Sequence, residues 1–587
     1  MEMKKVILMS PLISIMMLVS CSSAVSPSLV EPPSDISVNE SDVAPYLPPG
    51  DDNWSDVDAN NGKTSSVANT VPWTPEELRR VSLPEPVHPS TLRSADGMVL
   101  VSGLRRVFVV DPSTGEIPYS LCVKELVCND GNDDDFLAHM WDPWTDGSHL
   151  KVDPQGRWVV FMDAASDEFN NAWNAKVYDL QALSEGNDID TDTVITFPAT
   201  NVAPWFSGWW MEGRRIVAWY RRDNNGQMEQ VVEVRKVPEG SLDLQKAFVK
   251  GTATDDPATI GDFSLPYMLL GWPYAAYLEP GEKRVVLWDI SQDGIVWRLP
   301  DGAQGAFHAD WLRMTEGGVF SAWGDSTTNP ERFVYFGFDG TTERFCPEFS
   351  AGVLDQPLWT AISRDGRWLV GEEGHPVMID VAGCEMKEAK WNEIDSDENL
   401  VIPRPDGTEP GLQRAAATLN AGLFGYLGDT NASDQTKQHY VLLWPYESAS
   451  PTARLGPADV QDPVQYRWHI VSGHYIVLLG GTGTGGQVGT QLIIYGDETP
   501  PQIGNIELNG SVLSIGVSDG GGPAWKVVLF AVDTDGQETV LEAVRASNET
   551  WTIDVSQLPS GTYAARAVAI DLSGNWTAGD ALGIEIP

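Results

Sequence analysis

The chain has 587 residues, of which 83 are acidic and 38 are basic, so its formal net charge is -45. Such an excess of acids argues against binding to nucleic acid, whose phosphates attract Lys and Arg. It argues equally against electrostatic docking on anionic lipid, and it leaves cationic partners open.

The N-terminal 21 residues predict export and lipidation. Two lysines precede an apolar run over residues 6–19, which is short for a helix that spans a bilayer. The run ends in Leu18-Val19-Ser20-Cys21, which resembles a bacterial lipobox, where the Cys carries diacylglycerol and becomes the mature N-terminus. We therefore expect a protein of the cell envelope that is attached to the membrane only by a lipid on Cys21. In Gram-negative lipoproteins a residue other than Asp after the Cys, here Ser22, implies the outer membrane.

Residues 22–72 predict a disordered acidic tether, because they are rich in Pro, Ser, Asn and acids and offer little apolar surface to bury. The body of the protein then begins near residue 73. The segment Thr74-Pro75-Glu76-Glu77-Leu78-Arg79-Arg80 predicts a short turn of helix.

Residues 73–497 predict a repeated all-β architecture. Short β-branched and aromatic runs recur in pairs, and the pairs are separated by Gly, Asp, Asn and Pro turns. The eight predicted pairs are Met98–Ser102 with Val107–Asp111, Trp158–Met162 with Ala175–Leu180, Arg215–Tyr220 with Val231–Lys236, Ala275–Leu278 with Arg284–Asp289, Val319–Trp323 with Phe333–Phe338, Trp368–Gly371 with Val377–Val381, Leu423–Leu427 with Tyr440–Trp444, and Tyr475–Leu479 with Gln491–Tyr495. This spacing favours a β-propeller of seven or eight blades. The alternative is a pair of β-sandwiches.

Several of these units open with a turn of one kind. Ser94-Ala95-Asp96-Gly97, Asp153-Pro154-Gln155-Gly156-Arg157-Trp158 and Ser363-Arg364-Asp365-Gly366-Arg367-Trp368 each place Gly where a positive φ is needed before an apolar strand. Together with Lys176-Val177-Tyr178-Asp179-Leu180, these turns resemble the WD40-like repeats of TolB-type β-propellers. The resemblance specifies the fold and leaves the function open.

Residues 498–587 predict a separate β-sandwich. The predicted strands are Ile503–Leu508, Val512–Val517, Lys526–Asp533, Glu538–Ala543, Thr552–Val555, Tyr563–Asp571 and Gly583–Ile586. The run Leu558-Pro559-Ser560-Gly561-Thr562-Tyr563 and the later Asp571-Leu572-Ser573-Gly574-Asn575 resemble bacterial Ig-like and fibronectin-III-like modules. That resemblance implies an Ig-like fold in which Tyr563 is a corner tyrosine whose hydroxyl bonds to backbone.

Four cysteines remain after Cys21, and an even number in an exported chain predicts disulfides. They are Cys122, Cys128, Cys346 and Cys384, which allow three pairings. A Cys122–Cys128 bridge would close a tight loop, and a Cys346–Cys384 bridge would then link adjacent repeats. A four-Cys zinc site is the alternative, although the C-x-x-C spacing is missing.

An acid-rich loop is the candidate metal site. Asp130, Asn132, Asp133 and Asp135 supply oxygen ligands of the kind that Ca²⁺ prefers, without the spacing of an EF-hand. Ca²⁺ is therefore the only cofactor that the sequence suggests. The alternative is that the loop is merely solvated in a strongly acidic chain.

Tryptophans are the candidate ligand-binding residues. Many of the 23 stand just before a predicted inner strand, namely Trp144, Trp209, Trp210, Trp272, Trp311, Trp359 and Trp468. On one end of a propeller they would line a funnel, where exposed rings stack on sugars or form protein hot spots. The alternative is that each ring packs between two blades.

These features predict a membrane-anchored binding or scaffold protein that recognises a protein partner of the envelope through its propeller loops. A glycan-binding or glycan-cleaving propeller is the second hypothesis, and a structural adhesin without a ligand pocket is the third. No motif assigns a catalytic residue.

Overall fold

The computed structural model shows an all-β protein. The structure describes residues 26–33, 36–53, 66–87, 91–103, 106–122, 150–153, 155–164, 173–184, 193–197, 208–212, 214–225, 227–252, 269–271, 273–279, 284–298, 306–324, 332–340, 343–346, 360–372, 375–389, 411–427, 440–456, 464–482 and 489–587. Within these ranges, strands are numbered in chain order. No helix among these residues is long and apolar enough to cross a bilayer.

The N-terminal segment supplies two strands that join sheets formed much later in the chain. Its elements are β1 (Ser28–Val30), α1 (Glu40–Val43), a 3-10 turn (Ala44–Tyr46) and β2 (Glu76–Val87).

Eight antiparallel sheets of four strands follow, and each sheet is one blade of a propeller. Blade 1 consists of β3 (Arg93–Ala95), β4 (Met98–Ser102), β5 (Arg106–Val110) and β6 (Tyr119–Cys122), and blade 2 consists of β7 (Leu150–Val152), β8 (Trp158–Ala164), β9 (Trp173–Asp179) and β10 (Thr193–Phe197). Blade 3 consists of β11 (Gly208–Glu212), β12 (Arg215–Asn224), β13 (Gln227–Lys236) and β14 (Leu242–Thr252). Blade 4 consists of β15 (Leu269–Gly271), β16 (Tyr274–Glu279), β17 (Arg284–Asp289) and β18 (Gly294–Arg298). A short helix, α2 (Leu180–Ser184), follows β9.

Blades 5 to 8 repeat the pattern. Blade 5 consists of β19 (Ala306–Met314), β20 (Gly318–Gly324), β21 (Arg332–Gly337) and β22 (Glu343–Cys346), and blade 6 consists of β23 (Ala361–Ile362), β24 (Trp368–Glu372), β25 (Pro376–Asp380) and β26 (Glu385–Glu388). Blade 7 consists of β27 (Gly411–Ala417), β28 (Ala421–Leu427), β29 (Tyr440–Pro445) and β30 (Ala453–Leu455). Blade 8 consists of β31 (Val464–Ser472), β32 (Tyr475–Thr482) and β33 (Gly489–Gly496), together with β2 from the N-terminal segment.

The eight predicted strand pairs are confirmed as the second and third strands of the eight blades. These strands have both faces covered by neighbouring blades, which is why they are rich in β-branched and aromatic residues. The first strands contact one another from blade to blade: β3 contacts both β31 and β7, and β7 contacts β11. We call these first strands the inner strands, because they surround the propeller axis.

The ring closes through β2, which pairs antiparallel with β33 from Glu76–Gly496 to Val87–Gly489. The short helix predicted over residues 74–80 is therefore wrong. Its helix-forming residues are overridden by pairing with a strand some four hundred positions away and by burial of Val81, Leu83 and Val87.

The aspartate-glycine turns bring adjacent blades into close contact. Gly156 has φ of +78°, and a Cβ at this position would lie 2.5 Å from the Asp96 backbone nitrogen in blade 1. Gly97 has a similar φ of +74°, yet apart from its chain neighbours no atom of the described residues lies within 4 Å of where its Cβ would be. The glycine in the blade 2 turn is thus required by both backbone conformation and space.

These two glycines give a matched prediction. Gly97→Ala should cost about 1–2 kcal/mol, the cost of a left-handed L-residue. Gly156→Ala should cost about 1–3 kcal/mol more, because backbone atoms must also move. Thermal and urea unfolding of the two variants measure the difference. Equal destabilisation would show that the contact with blade 1 is unimportant.

The C-terminal residues form a β-sandwich of two antiparallel sheets. One sheet has the order β1-β42-β40-β36-β37, with β41 also paired to β40, and the other has the order β34-β35-β39-β38. The strands are β34 (Gln502–Asn509), β35 (Val512–Ser518), β36 (Lys526–Asp533), β37 (Glu538–Glu542), β38 (Val544–Arg545), β39 (Thr550–Asp554), β40 (Gly561–Ile570), β41 (Trp576–Ala578) and β42 (Leu582–Ile586), with a 3-10 turn at Val555–Gln557. The Tyr563 hydroxyl donates to the Pro559 carbonyl at 2.9 Å, as the sequence predicts.

Much of the predicted tether is ordered against this sandwich. Strand β1 pairs with β42, while Ile36 and Val43 pack with Val528 and Phe530. Alternate residues of β36 face the opposite side and fill the core between the sheets, so both faces of this strand are buried. The expectation of a disordered tether over residues 22–72 is therefore wrong for these parts, because the sandwich offers an apolar face to them.

Candidate functional site

The predicted tryptophan funnel has three members whose side chains the structure describes: Trp209, Trp210 and Trp468. The side chains of Trp144, Trp272, Trp311 and Trp359 lie outside the described part, although the Trp311 backbone belongs to β19.

Trp209 and Trp210 are not an open stacking surface. They are 3% and 5% exposed and belong to two different apolar clusters, because neighbouring residues of β11 face opposite ways. The Lys151 ammonium of the preceding blade lies 5.2 Å from the Trp209 ring centroid and 5.8 Å from that of Trp210. The expectation that these two rings bind a ligand directly is thus wrong, since rings packed between blades have no free face.

The inner strands instead bring together buried basic side chains. Arg414 on β27, His469 on β31, Arg93 on β3 and Lys151 on β7 are all at most 4% exposed. These four residues lie in blades 7, 8, 1 and 2, which are consecutive around the closed ring. We call them the basic arc.

Three inner strands also carry a basic residue at an equivalent register position. Arg93, Lys151 and Arg313 each pair with the third residue of the following strand; the pairs are Arg93 with Leu100, Lys151 with Val160 and Arg313 with Phe320. Arg313, in blade 5, is also buried. Three blades therefore carry a cation at an equivalent register position of the inner strand.

Arg414 and Trp468 form the best-defined contact of the arc. The Arg414 guanidinium carbon lies 4.3 Å from the Trp468 ring centroid, within the range of a cation–π interaction. Strand pairing shifts by one residue between Leu412 and Arg414 and again between Tyr466 and Trp468. Bulges of this kind re-aim side chains, and here they occur at matching places in adjacent inner strands.

Two other groups define the chemistry of this corner. The Trp468 Nε1 atom is a buried hydrogen-bond donor that finds no acceptor among the described residues. Burial, and then the neighbouring Arg414 charge, hold the pKa of His469 well below its usual range, so the imidazole is neutral near pH 7. The corner therefore combines a permanent cation, a neutral ring and an indole N–H donor.

A second cluster lies where the propeller meets the sandwich. Asp497, Asp519 and Asp571 each follow directly after a strand, namely β33, β35 and β40, and their carboxylate oxygens lie within 4.8 Å of one another. We call them the carboxylate triad. Gly521 lies in close contact with the Asp497 carboxylate, because a Cβ atom at position 521 would be 1.9 Å from Asp497 Oδ2.

The D-x-S-G-N motif of the sequence builds part of this triad. Asp571 Oδ1 accepts from the backbone N–H groups of Ser573 and Asn575, both at 2.8 Å. The Asn575 side-chain amide donates to Asp571 Oδ2 and to the Asp497 carbonyl, both at 2.9 Å. The motif thus connects the sandwich to the end of the last propeller strand.

Crowded carboxylates in a partly buried place resist ionisation. Burial, and then the charge of Asp497, raise the pKa of Asp519 to about 6. Burial raises the pKa of Asp571 to about 7 despite its hydrogen bond from Asn575, and the charge of Asp519 adds to the effect. Burial also raises the pKa of Asp497. The triad therefore holds protons at pH values where ordinary Asp residues are ionised.

The remaining predicted sites fall largely outside the described residues. These are Cys21, Cys128 and the calcium loop with Asp130, Asn132, Asp133 and Asp135, together with the side chains of Cys122 and Cys346. Cys384, in the turn between β25 and β26, is disulfide-bonded. The pairing of the four cysteines stays a prediction.

Sequence reasoning missed both the basic arc and the carboxylate triad. The arc carries no local signature, since its members are single basic residues in short strands spread over more than three hundred positions. One signal was available for the triad, because the predicted strand ends put Asp497 at the end of the propeller and Asp571 at the end of a long sandwich strand.

No protein-family model and no curated protein matches the chain. Similar solved structures include Kluyvelomyces marxianus Hsv2, with a TM-score of 0.31 and 5% identity over 67% of this chain and 96% of that chain. Dihydro-heme d1 dehydrogenase NirN in complex with DHE has a TM-score of 0.30 and 12% identity over 72% of this chain and 76% of that chain. Kuenenia stuttgartiensis hydrazine synthase has a TM-score of 0.28 and 12% identity over 64% of this chain and 97% of that chain. Likeness at this level carries no information about ligand or activity.

Proposed function

We propose that this chain is a lipid-anchored protein of the cell envelope whose propeller loops bind a protein partner. The observation that carries the proposal is the course of the N-terminal segment. This segment pairs with the sandwich through β1, covers the sandwich face with Ile36 and Val43, and then closes the propeller ring through β2. A chain that enters both modules in this way builds one scaffold.

Direct contacts hold the segment to both modules at their junction. The Trp73 backbone N–H donates to the Gly521 carbonyl at 2.7 Å, and the Thr70 hydroxyl donates to the Leu572 carbonyl at 2.6 Å. The His474 ring, in a blade 8 turn, lies 3.2 Å from the Thr70 hydroxyl. These bonds limit hinge motion between propeller and sandwich, and rigid scaffolds with exposed loops are typical of binding proteins.

The segment also fixes how far the body can stand from the membrane. Strand β1 begins at Ser28, only seven residues after the proposed lipid attachment at Cys21. Even a fully extended chain of that length reaches only about 25 Å. The proposal therefore places the sandwich beside the membrane, at the outer membrane if the sorting rule holds, and the propeller behind it.

The glycan hypothesis gains no support from Trp209 and Trp210, because both rings are buried between blades. A protein partner is the better proposal for a scaffold whose turns carry exposed polar residues such as Ser113 in blade 1 and Asn225 in blade 3.

The proposal has two measurable parts. An alkyne-labelled fatty acid supplied to the cells should label the chain, and Cys21→Ser should remove the label and release the protein from the membrane fraction. A photo-crosslinking residue at Ser113 or Asn225 should then yield a discrete protein adduct in intact cells.

The exposed Val544 of the sandwich is the control position for crosslinking. Adducts from the propeller turns and none from Val544 are the expected result. Adducts only from Val544, or a membrane-bound Cys21→Ser chain without label, would refute the proposed arrangement.

A further inference from the structure

We propose that the partner is a protein with a basic surface and that it docks on the end of the propeller that faces away from the sandwich. The inference rests on the proposed function and names the surface and the charge of the partner. In each antiparallel blade, the turns from first to second strand and from third to fourth strand lie at one end, which we call the near end. The turns from second to third strand and the connectors to the next blade lie at the other end, which we call the far end.

The near end is occupied at its centre by two stretches of the N-terminal segment, residues 49–53 and 66–71, which we call the axial plug. The two stretches bind each other. The Asp52 backbone N–H donates to Asn69 Oδ1, and the Asn69 side-chain amide donates to the Asp52 carbonyl, both at 2.9 Å. The Ala68 backbone N–H also donates to Asp52 Oδ2 at 2.7 Å. The two stretches therefore form one unit.

Adjacent residues of the plug contact opposite sides of the ring. Asn53 Oδ1 accepts from the Asp96 backbone N–H in blade 1 at 2.9 Å, and a Cβ at Gly156 in blade 2 would lie 3.0 Å from Asn53 Nδ2. Asp52 Oδ2 lies 3.7 Å from the Arg364 guanidinium in blade 6. Blades 2 and 6 are opposite each other in a ring of eight, whereas neighbouring Cα atoms are only about 3.8 Å apart. The plug therefore crosses the propeller axis.

The plug is also held by blades 7 and 8. Ser66 forms a parallel bridge with Ala417, at the end of the inner strand of blade 7. In blade 8, a Cβ at Gly50 would lie 2.4 Å from His474 Nε2. Ser66 and Asn69 are fully buried by these contacts. A surface that the chain itself covers so closely is not free for a partner.

The sandwich covers a further part of the near end. Arg545 of the sandwich lies 2.9 Å from the carboxylate of Glu447, in the turn between the third and fourth strands of blade 7. The Thr74 hydroxyl donates to the Gly520 carbonyl at 2.6 Å, where the chain passes from the plug to β2. The proposed function puts the sandwich beside the membrane, so the near end faces the lipid as well. A large partner is therefore expected at the far end.

Charge selects the kind of partner. The connector over residues 123–149 joins β6 to β7 and the connector over residues 389–410 joins β26 to β27, so both are attached at the far end. The first contains seven acidic residues and one Lys, and the second contains six acidic and two basic residues. Like charges that face each other across an interface weaken binding, whereas opposite charges also speed the encounter. A basic surface on the partner fits this end.

The first test places a photo-crosslinking residue at two exposed positions of each end in intact cells. Arg106 begins the third strand of blade 1 and Asn225 lies between the second and third strands of blade 3, so both belong to the far end. Ser113 and Gln292 lie between the third and fourth strands of blades 1 and 4, so both belong to the near end. We expect a protein adduct from the far-end positions and none from the near-end positions.

The outcomes separate this inference from the proposed function. Adducts from Ser113 or Gln292, with or without adducts from the far end, would overturn the choice of end and leave a propeller that binds a protein. The absence of any adduct from all four positions would overturn both.

The second test addresses the charge of the partner. Isolated membranes are irradiated at low salt and at about 1 M NaCl, where the Debye length is about 3 Å. The adduct yield from Asn225 should fall at least about threefold at high salt, because screening removes the attraction between the acidic end and a basic surface. An adduct yield that does not depend on salt would overturn the basic partner.

Hydrogen exchange of the full chain in mild detergent tests the plug itself. Peptides over residues 49–53 and 66–71 should exchange as slowly as the strands of the blades, because their backbone groups are bonded and buried. Exchange at the rate of an unfolded chain would show that the plug is not seated on the near end, and it would overturn the assignment of the partner to the far end.

Discussion

A chain that begins at Thr91, and therefore lacks β2, is expected to lose cooperative unfolding and to aggregate. Strand β2 is the outermost strand of blade 8 and buries Val81, Leu83 and Val87. Burial of each such side chain contributes about 1.5–3 kcal/mol, so the sum is comparable to the whole stability of a typical protein. The loss would also leave β33 as an apolar edge strand, which favours aggregation.

Two comparisons make this result specific. A chain that begins at Ser66 keeps β2 and the buried Val67 and Val71, so its propeller should melt as in the full chain. Its sandwich should melt at a lower temperature, because Val528 and Phe530 lose the cover of Ile36 and Val43. Scanning calorimetry and size-exclusion chromatography distinguish the two chains.

Complementation provides the control. A synthetic peptide of residues 73–90 added during refolding should restore a soluble propeller to the chain that begins at Thr91. A truncated chain that remains soluble, with the melting temperature of the full chain, would show that the ring does not need closure by β2.

The second large effect is a loss of stability at the junction as pH rises from about 5 to about 8. The pKa values of Asp519 and Asp571 are raised to about 6 and about 7, from an ordinary value of 3.8. The folded chain then retains protons that the unfolded chain releases. This stabilising contribution is complete below pH 4 and is lost as pH rises through 6 and 7.

The charges around the triad reinforce the effect. Asp497 belongs to the cluster itself, and the carboxylate of Glu76 on β2 raises its pKa further. At pH 8 the junction must therefore hold several carboxylates ionised in one partly buried place. Unfolding should be followed in EDTA, because a divalent cation bound by carboxylates would lower their pKa values and hide the effect.

Asp519→Asn is the informative variant, since it removes one charge and keeps the shape. We expect it to raise the melting temperature at pH 8 and to change it little at pH 5, so the pH profile becomes flatter. Asp571→Asn is the contrasting variant, because its new amide would oppose the amide of Asn575, which now donates to Asp571 Oδ2. A wild-type profile that is flat from pH 5 to pH 8 would contradict the role of the triad.

The sequence by itself determined the paired strands and the fold class. The second and third strands of every blade are long enough, and apolar enough on both faces, to carry a local signal, and the seven predicted strands of the sandwich correspond to observed strands. The turns before the second strands were also predictable from local sequence, because Gly156 and Gly366 both adopt the positive φ that their motifs require. Local patterns such as these depend on neighbours within a few residues.

Contacts between distant parts of the chain decided the rest. Residues 74–80 read as a turn of helix locally, yet the chain from Glu76 to Val87 is strand β2 because β33 offers it an open edge. Parts of the segment over residues 22–72 read as disordered but are ordered in the described ranges, because the sandwich presents an apolar face to them. The members of the basic arc and of the carboxylate triad look like any other Arg, Lys or Asp until ring closure and the propeller–sandwich junction bring them together. Their burial and mutual repulsion, which give them unusual chemistry, exist only in the tertiary structure.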